Sequence, residues 1–262
     1  MIRAMRTAAS GMYAQKLNLD NIANNLANIN TTGFKKAKLE FQDVLYQVMR
    51  MAGATSEQGI EVPVELEIGY GTKPSATQRI FSQGTLVNTG NSLDLAIQGD
   101  GFYIIEMPDG TNAFTRDGTF KLNRDGDIVT SDGYRLASAI TIPPEAQEVY
   151  VGVDGTVTVR NAGETEVTDI GQITLAKFLN PAGLSAIGRN LYIQTTASGD
   201  FTEGVPGNEG LGQIRSGYIE SSNVESVEEM VNMIIAQRSY EINSKAIQTS
   251  EDMMQIANNL KR

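Results

Sequence analysis

Apolar and small residues recur at alternating three- and four-residue spacing at both ends of this chain. That paired pattern constrains the fold more than any other feature. Near the N-terminus the run is Ile2, Met5, Ala9, Met12, Leu19, Ala23 and Leu26, broken at Lys16. Near the C-terminus it is Val224, Val227, Val231 and Ile234, then Ile242, Ala246, Thr249, Met253, Ile256 and Leu260, with Arg238 at the change of register. Such spacing lays a continuous stripe along one face of an α-helix. It predicts helices over 1–30 and 222–262, which at 1.5 Å per residue reach roughly 40 to 55 Å. Ser222 with Glu225 three residues on reads as a capping box, and Glu228 and Glu229 fall near the positive end of the helix dipole.

Between the ends the rhythm changes to short alternating strands, such as 101–106 and 113–116, punctuated by Asp-Gly pairs. The pairs at Asp109, Asp117, Asp125 and Asp132 are spaced as successive hairpins require, since glycine supplies the positive φ of tight turns. Asp125-Gly126-Asp127 fits neither the EF-hand loop nor the calcium-binding nonapeptide repeat. An all-β domain is expected over 84–203, with a return connector over 204–221. The segment 31–83 reads as a connector. Its stretch from Tyr46 to Thr77 shows neither period and carries Gly53, Gly59, Pro63, Gly69, Gly71 and Pro74. The expected class is α+β: a discontinuous coiled-coil-like domain built from both terminal helices, extended connectors, and a central all-β domain.

Composition narrows the chemistry. The chain has no cysteine and no histidine, which removes disulfides, thiolate nucleophiles, the commonest general base and the usual zinc ligands. The net charge of −10 argues against nucleic acid as a partner. The acid excess sits in the middle: residues 51–220 hold ten basic and twenty-two acidic groups, against seven and three in residues 1–50. Paired carboxylates such as Glu65 with Glu67 read as solvated surface, and the chain has no tryptophan to line a sugar cleft. Gly99-Asp-Gly-Phe-Tyr lacks the dinucleotide fingerprint and precedes a strand. No catalytic residue, cofactor site or metal site is expected. The first thirty residues lack the apolar core and cleavage site of a cleavable signal, and no stretch approaches the roughly 18 apolar residues of a membrane span.

Asparagine is dense near the end of the first helix, at positions 18, 21, 24, 25, 28 and 30. Asn18, Asn21, Asn25 and Asn28 form an amide stripe one residue behind Leu19, Ile22, Leu26 and Ile29. Asparagine is a poor interior helix former, so the stripe suggests amide hydrogen bonds to another chain. The predicted interface with another chain is therefore Met5, Met12, Leu19, Asn21, Ile22, Asn25, Leu26 and Asn28 on the first helix. On the last helix it is Val231, Ile234, Ile242, Ala246, Met253, Ile256 and Leu260.

Three long motifs resemble one family. Ala23 to Asn28 followed by Asn30-Thr-Thr-Gly-Phe-Lys35 is similar to the N-terminal signature of flagellar rod and hook proteins. The run from Gln237 to Ala246 is similar to their C-terminal helix motif, and the run from Gly84 to Tyr103 to the start of their β domain. Within the family the length excludes a typical hook protein, and the connector from Tyr46 to Pro74, including the run from Leu66, resembles the distal rod branch more than the proximal one. The resemblance implies a structural subunit that self-assembles into a rigid, torque-transmitting helical tube crossing the periplasm. A proximal rod or hook-type axial subunit is the alternative. It implies export through the flagellar type III apparatus without a cleaved signal. The implied partners are further copies of itself, proximal rod proteins, hook or hook-junction proteins, and the surrounding periplasmic and outer-membrane rings.

Overall fold

The computed structural model describes residues 2–52, 64–161 and 167–260. Gly53, Gly59 and Pro63 of the expected connector lie outside the described residues. The chain divides into two compact units, a helical one drawn from Met1–Ala27, Ala37–Gln78 and Glu225–Arg262, and a β unit drawn from Asn28–Lys36 and Arg79–Val224.

In the helical unit, α1 spans Ile2–Ala27 and α2 spans Ser226–Asn259, and the two pack on each other. The N-terminal boundary of α2 differs from the capping-box expectation. The helix starts after Glu225, which makes no side-chain capping bond, and the Ser222 hydroxyl instead accepts from the Val224 N–H at 3.3 Å. The local serine bond closes a turn in place of a cap. Glu228 and Glu229 do occupy the first turn, where they complement the dipole.

The region read as an extended connector is built into strands. Ala37–Asp43 pairs with Thr72–Arg79, and Tyr46–Arg50 pairs antiparallel with Leu66–Gly69. All of Tyr46–Arg50 is exposed, and Leu66–Gly69 nearly so. A strand wet on both faces has no apolar alternation to betray it. The Tyr46 ring instead lies over Gly69, where an added Cβ would stand 3.1 Å from the ring edge.

The β unit is organised around Phe102–Glu106. This strand pairs on one edge with Asn112–Thr115, and on the other with Arg135–Leu136 and Leu175–Lys177. The sheet continues past Asn112–Thr115 to Leu191–Ile193 and Ser185–Gly188. A separate three-stranded antiparallel sheet comprises Ala146–Val151, Thr156–Asn161 and Thr168–Gln172. Both faces of Phe102–Glu106 are covered. Tyr103 and Ile105 enter one core with Leu95, Phe120, Ile173 and Ile214, while Phe102 and Ile104 enter a second with Phe114, Phe178 and Tyr192. Edge-to-face rings hold the second core, with Phe114 and Phe178 at 4.7 Å and 89°.

Three of the four Asp-Gly pairs behave as turns, with Gly110, Gly126 and Gly133 at φ of 78°, 87° and 87°. The pair at Asp117-Gly118 does not share that left-handed geometry. A Cβ on Gly118 would lie 1.6 Å from the Leu95 carbonyl oxygen, so glycine is required there by a close backbone crossing. Ends of the β unit that are far apart in sequence are tied by Leu86–Asn88 with Tyr218–Glu220 and by Leu95–Gln98 with Gln213–Ser216.

Candidate assembly surface

The face that α2 turns toward α1 is not its apolar stripe. The buried residues of α2 are Glu229, Ala236 and Ser250, and Asn243 lies against Gly11 of α1, where an added Cβ would come within 3.0 Å of the amide. These four positions follow one another at seven-residue spacing. On α1 the buried set is Ala8, Ala14, Ile22 and Asn25. The internal seam thus mixes small apolar side chains and Ile22 with the polar groups of Asn25, Glu229, Asn243 and Ser250. A search for apolar periodicity overlooks it; the seven-residue recurrence of small and polar residues is the signal that marks it.

The apolar stripe of α2 is left outside this seam. Val231, Ile234, Ile242, Ala246, Met253, Ile256 and Leu260 are all exposed, Ile242 at 66% and Leu260 at 83%. Val227, Met230 and Ile235 extend the same apolar surface. On α1 the predicted set splits. Met5, Met12, Leu19, Asn21 and Leu26 are half-buried, whereas Ile22 and Asn25 are buried within the helical unit. Asn28 falls beyond α1, in the β unit, where it opens a turn by accepting the Thr31 N–H at 3.2 Å.

Two of the asparagines make hydrogen bonds within the chain. Asn21 and Asn25 both donate their amide N–H to the Ala37 carbonyl, at 2.8 and 2.9 Å. Asn25 also accepts the Ala37 N–H at 3.0 Å, so one side chain satisfies both backbone groups of a residue. Glu229 lies at 3.5 Å from the same amide. The strand pairs add polar contacts to α1: Arg3 donates to Gln47 at 2.9 Å, and Arg6 stacks over the Tyr70 ring at 5.4 Å. Tyr46 stands beside Asp43, whose hydrogen bond raises the phenol's pKa. Among the described residues no cluster of three metal-ligating side chains occurs, and no helix is long and apolar enough to cross a membrane.

An amphipathic helix pair with an outward apolar face, joined in one chain to a separately packed β unit, is suited to holding copies together. Comparison with known proteins agrees over the full length. Residues 5–35 match the family described as flagella basal body rod protein, residues 96–159 the flagellar hook protein FlgE/F/G D1 domain, and residues 215–260 the flagellar basal body rod FlgEFG protein C-terminal family. The flagellar basal-body rod protein FlgG of Borreliella burgdorferi is 52% identical over 264 residues, covering 100% of both chains. The chain belongs to the flagellar basal-body rod and hook family. FlgG of Caulobacter vibrioides is 47% identical, covering 99% of this chain and 100% of that protein, and FlgG of Bacillus subtilis is 40% identical over the whole of both. The flagellar hook protein FlgE of Helicobacter pylori is 44% identical over 134 residues, but these are 51% of this chain and only 19% of that protein. The match to FlgG thus runs along the whole of those proteins, whereas the match to FlgE covers about a fifth of it.

Proposed function

We propose that this chain is the structural subunit of the flagellar distal rod, assembling head to tail into a rigid helical tube that transmits torque from motor to hook. The observation that carries this reading is the exposed α2 stripe. A helix already packed along one side still presents Ile234, Ile242, Ile256 and Leu260 to solvent. Covering an aliphatic side chain contributes about 1.5 to 3 kcal/mol. Repeated contacts of this kind can offset the cost of association, and a heterologous contact that does not close generates a filament. The helices 1–30 and 222–262 then act as the polymerising, coiled-coil-like domain. Segments 31–83 and 204–221 connect them to an outer β wall over 84–203.

On this reading the subunit carries no catalytic activity and lies in the periplasm-spanning part of the basal body, having been exported without a cleaved signal. Its partners are copies of itself, proximal rod proteins, hook or hook-junction proteins, the encircling periplasmic and outer-membrane rings, and the type III export apparatus. Identity near one half to FlgG proteins over their whole length favours the distal rod over a hook-type subunit. Electron microscopy of the concentrated chain is expected to show tubes, and Ile234→Ser with Ile242→Ser and Ile256→Ser is expected to abolish them while leaving a folded monomer. Tubes formed equally well by the triple variant would overturn the assignment of this face. Immunogold labelling of purified basal bodies places the chain at distal rod, proximal rod or hook.

A further inference from the structure

Lys35, Glu220 and Arg116 form a charge cluster inside the β unit. The side chains of Lys35 and Glu220 are 0% exposed and that of Arg116 is 3% exposed. Lys35 Nζ donates to Glu220 Oε1 at 2.5 Å and to the Ser82 carbonyl at 2.7 Å. The same carboxylate oxygen accepts the Gly84 N–H at 2.8 Å. Arg116 donates to the Gly99 carbonyl at 2.8 Å and stands 3.5 Å from the other carboxylate oxygen. Two cations therefore share one anion, and Glu220 is the group that permits either to be buried.

The backbone around these residues closes along the same line. The Gly33 N–H donates to the Glu220 carbonyl at 2.8 Å, and the Asn223 N–H to the Phe34 carbonyl at 3.4 Å. The Lys36 N–H donates to Asn223 Oδ1 at 2.7 Å, and the Asn223 amide donates in turn to the Ile80 carbonyl at 2.8 Å. Thr32 donates to Asp117 at 2.9 Å. Gly33 adopts φ of 66°, with Asp117 N only 2.6 Å from where a Cβ would stand. The segment 31–36 thus fits a slot one of whose walls is 218–224. The Thr31–Lys35 motif and the Glu220–Asn223 motif, distant in sequence, thus pack together inside the β unit.

Lys35 and Glu220 are 185 positions apart, and Glu220 comes late in the chain. The main sheet, whose strands run from Phe102–Glu106 to Thr202–Gly204, contains neither residue. Until strand Tyr218–Glu220 has paired with Leu86–Asn88, docking 31–36 would bury an ammonium with no anion beside it. We infer that the Lys35–Glu220–Arg116 cluster is an order-imposing lock: the chain after α1 docks into the β unit last, and only once the chain before α2 is in place. A chain delivered from its N-terminus therefore keeps 31–36 undocked until its far end has arrived, which withholds a completed subunit from assembly.

Pulsed hydrogen exchange during refolding of the full wild-type chain tests the order. The Gly33 and Lys36 amides are expected to gain protection after those of Phe102–Glu106 and Asn112–Thr115; protection at the same time or earlier overturns the inference. At equilibrium, Glu220→Gln is expected to raise trypsin cleavage after Lys35 or Lys36 at least tenfold while Phe102–Glu106 stays protected. Lys35→Met, which leaves Arg116 its acid, is expected to expose Lys36 less. A Glu220→Gln chain that resists cleavage at this segment, or that loses protection in 31–36 and the main sheet together, also overturns the lock. Should that variant not fold at all, the wild-type order of protection decides.

Discussion

The β unit and the helical unit use apolar residues in opposite ways. In the β unit the large side chains converge: Tyr103, Phe114, Phe120, Ile105 and Leu175 are each at most 2% exposed. The helical unit buries mostly small and polar residues, together with Ile22 of α1, and leaves many of the larger apolar residues of α2 outside. A domain meant to stand alone places its best packing groups inside. One that keeps them at its surface, as α2 does, offers a face that a partner can cover.

The comparison can be broken most severely in the β unit. Phe114→Ala removes a ring packed edge-to-face on Phe178 and also touching Phe201, and should cost about 3 to 5 kcal/mol. Thermal unfolding measures this, and a loss below about 1 kcal/mol would mean that the second core is not tightly packed. Next in size is the helical seam. Ala236 is 1% exposed, and Ala236→Leu should destabilise the helix pair by about 1 to 3 kcal/mol through overpacking, read as faster amide exchange in α1.

A smaller effect is expected at the turns of the β unit. The Asp109, Asp127 and Asp154 carboxyls are held below the usual carboxylate value of 3.8 by hydrogen bonds first of all from Thr111, Thr141 and Thr156. A depressed folded value contributes stability that is complete above the unfolded pKa and lost as the pH falls through the folded one. The melting temperature of the β unit should therefore decline once the pH drops below about 4. Thr141→Val should move the Asp127 titration, followed by NMR, upward. The smallest effect sharpens the contrast itself: Ile242→Ser on the outer stripe should change monomer stability by no more than about 0.5 kcal/mol. A loss of 2 kcal/mol or more would show that the stripe is already covered within the monomer.

What sequence reveals here follows the range of the interaction. Helix periodicity and Asp-Gly turns are local: both terminal helices form, over Ile2–Ala27 and Ser226–Asn259 against the 1–30 and 222–262 expected, and three of the four Asp-Gly pairs singled out are turns. The start of α2 is misplaced because Ser222 and Glu225 match a capping-box pattern, while the Ser222 hydroxyl accepts the Val224 N–H and so closes a turn ahead of the helix. The strand pair Tyr46–Arg50 with Leu66–Gly69 is hidden because neither face is dry. Of the candidate surface, the outer stripe of α2 is legible as apolar spacing. The inner seam, the coupling of Asn21 and Asn25 to Ala37, and the pairing of Lys35 with Glu220 are not, since each depends on a partner distant in sequence.

The side chain of Asn25 also imitates a neighbouring strand. By taking both the N–H and the C=O of Ala37, it occupies the two groups that an incoming β-edge would seek. The first rung of strand Ala37–Asp43 is thereby closed to intruders. It is also a register mark: sliding the strand by one residue would bring Lys36 or Lys38 to the amide and turn every following side chain to the opposite face. Asn25→Asp keeps the acceptor, removes the donor and sets a carboxylate beside Glu229, so it would erase the mark at a single position.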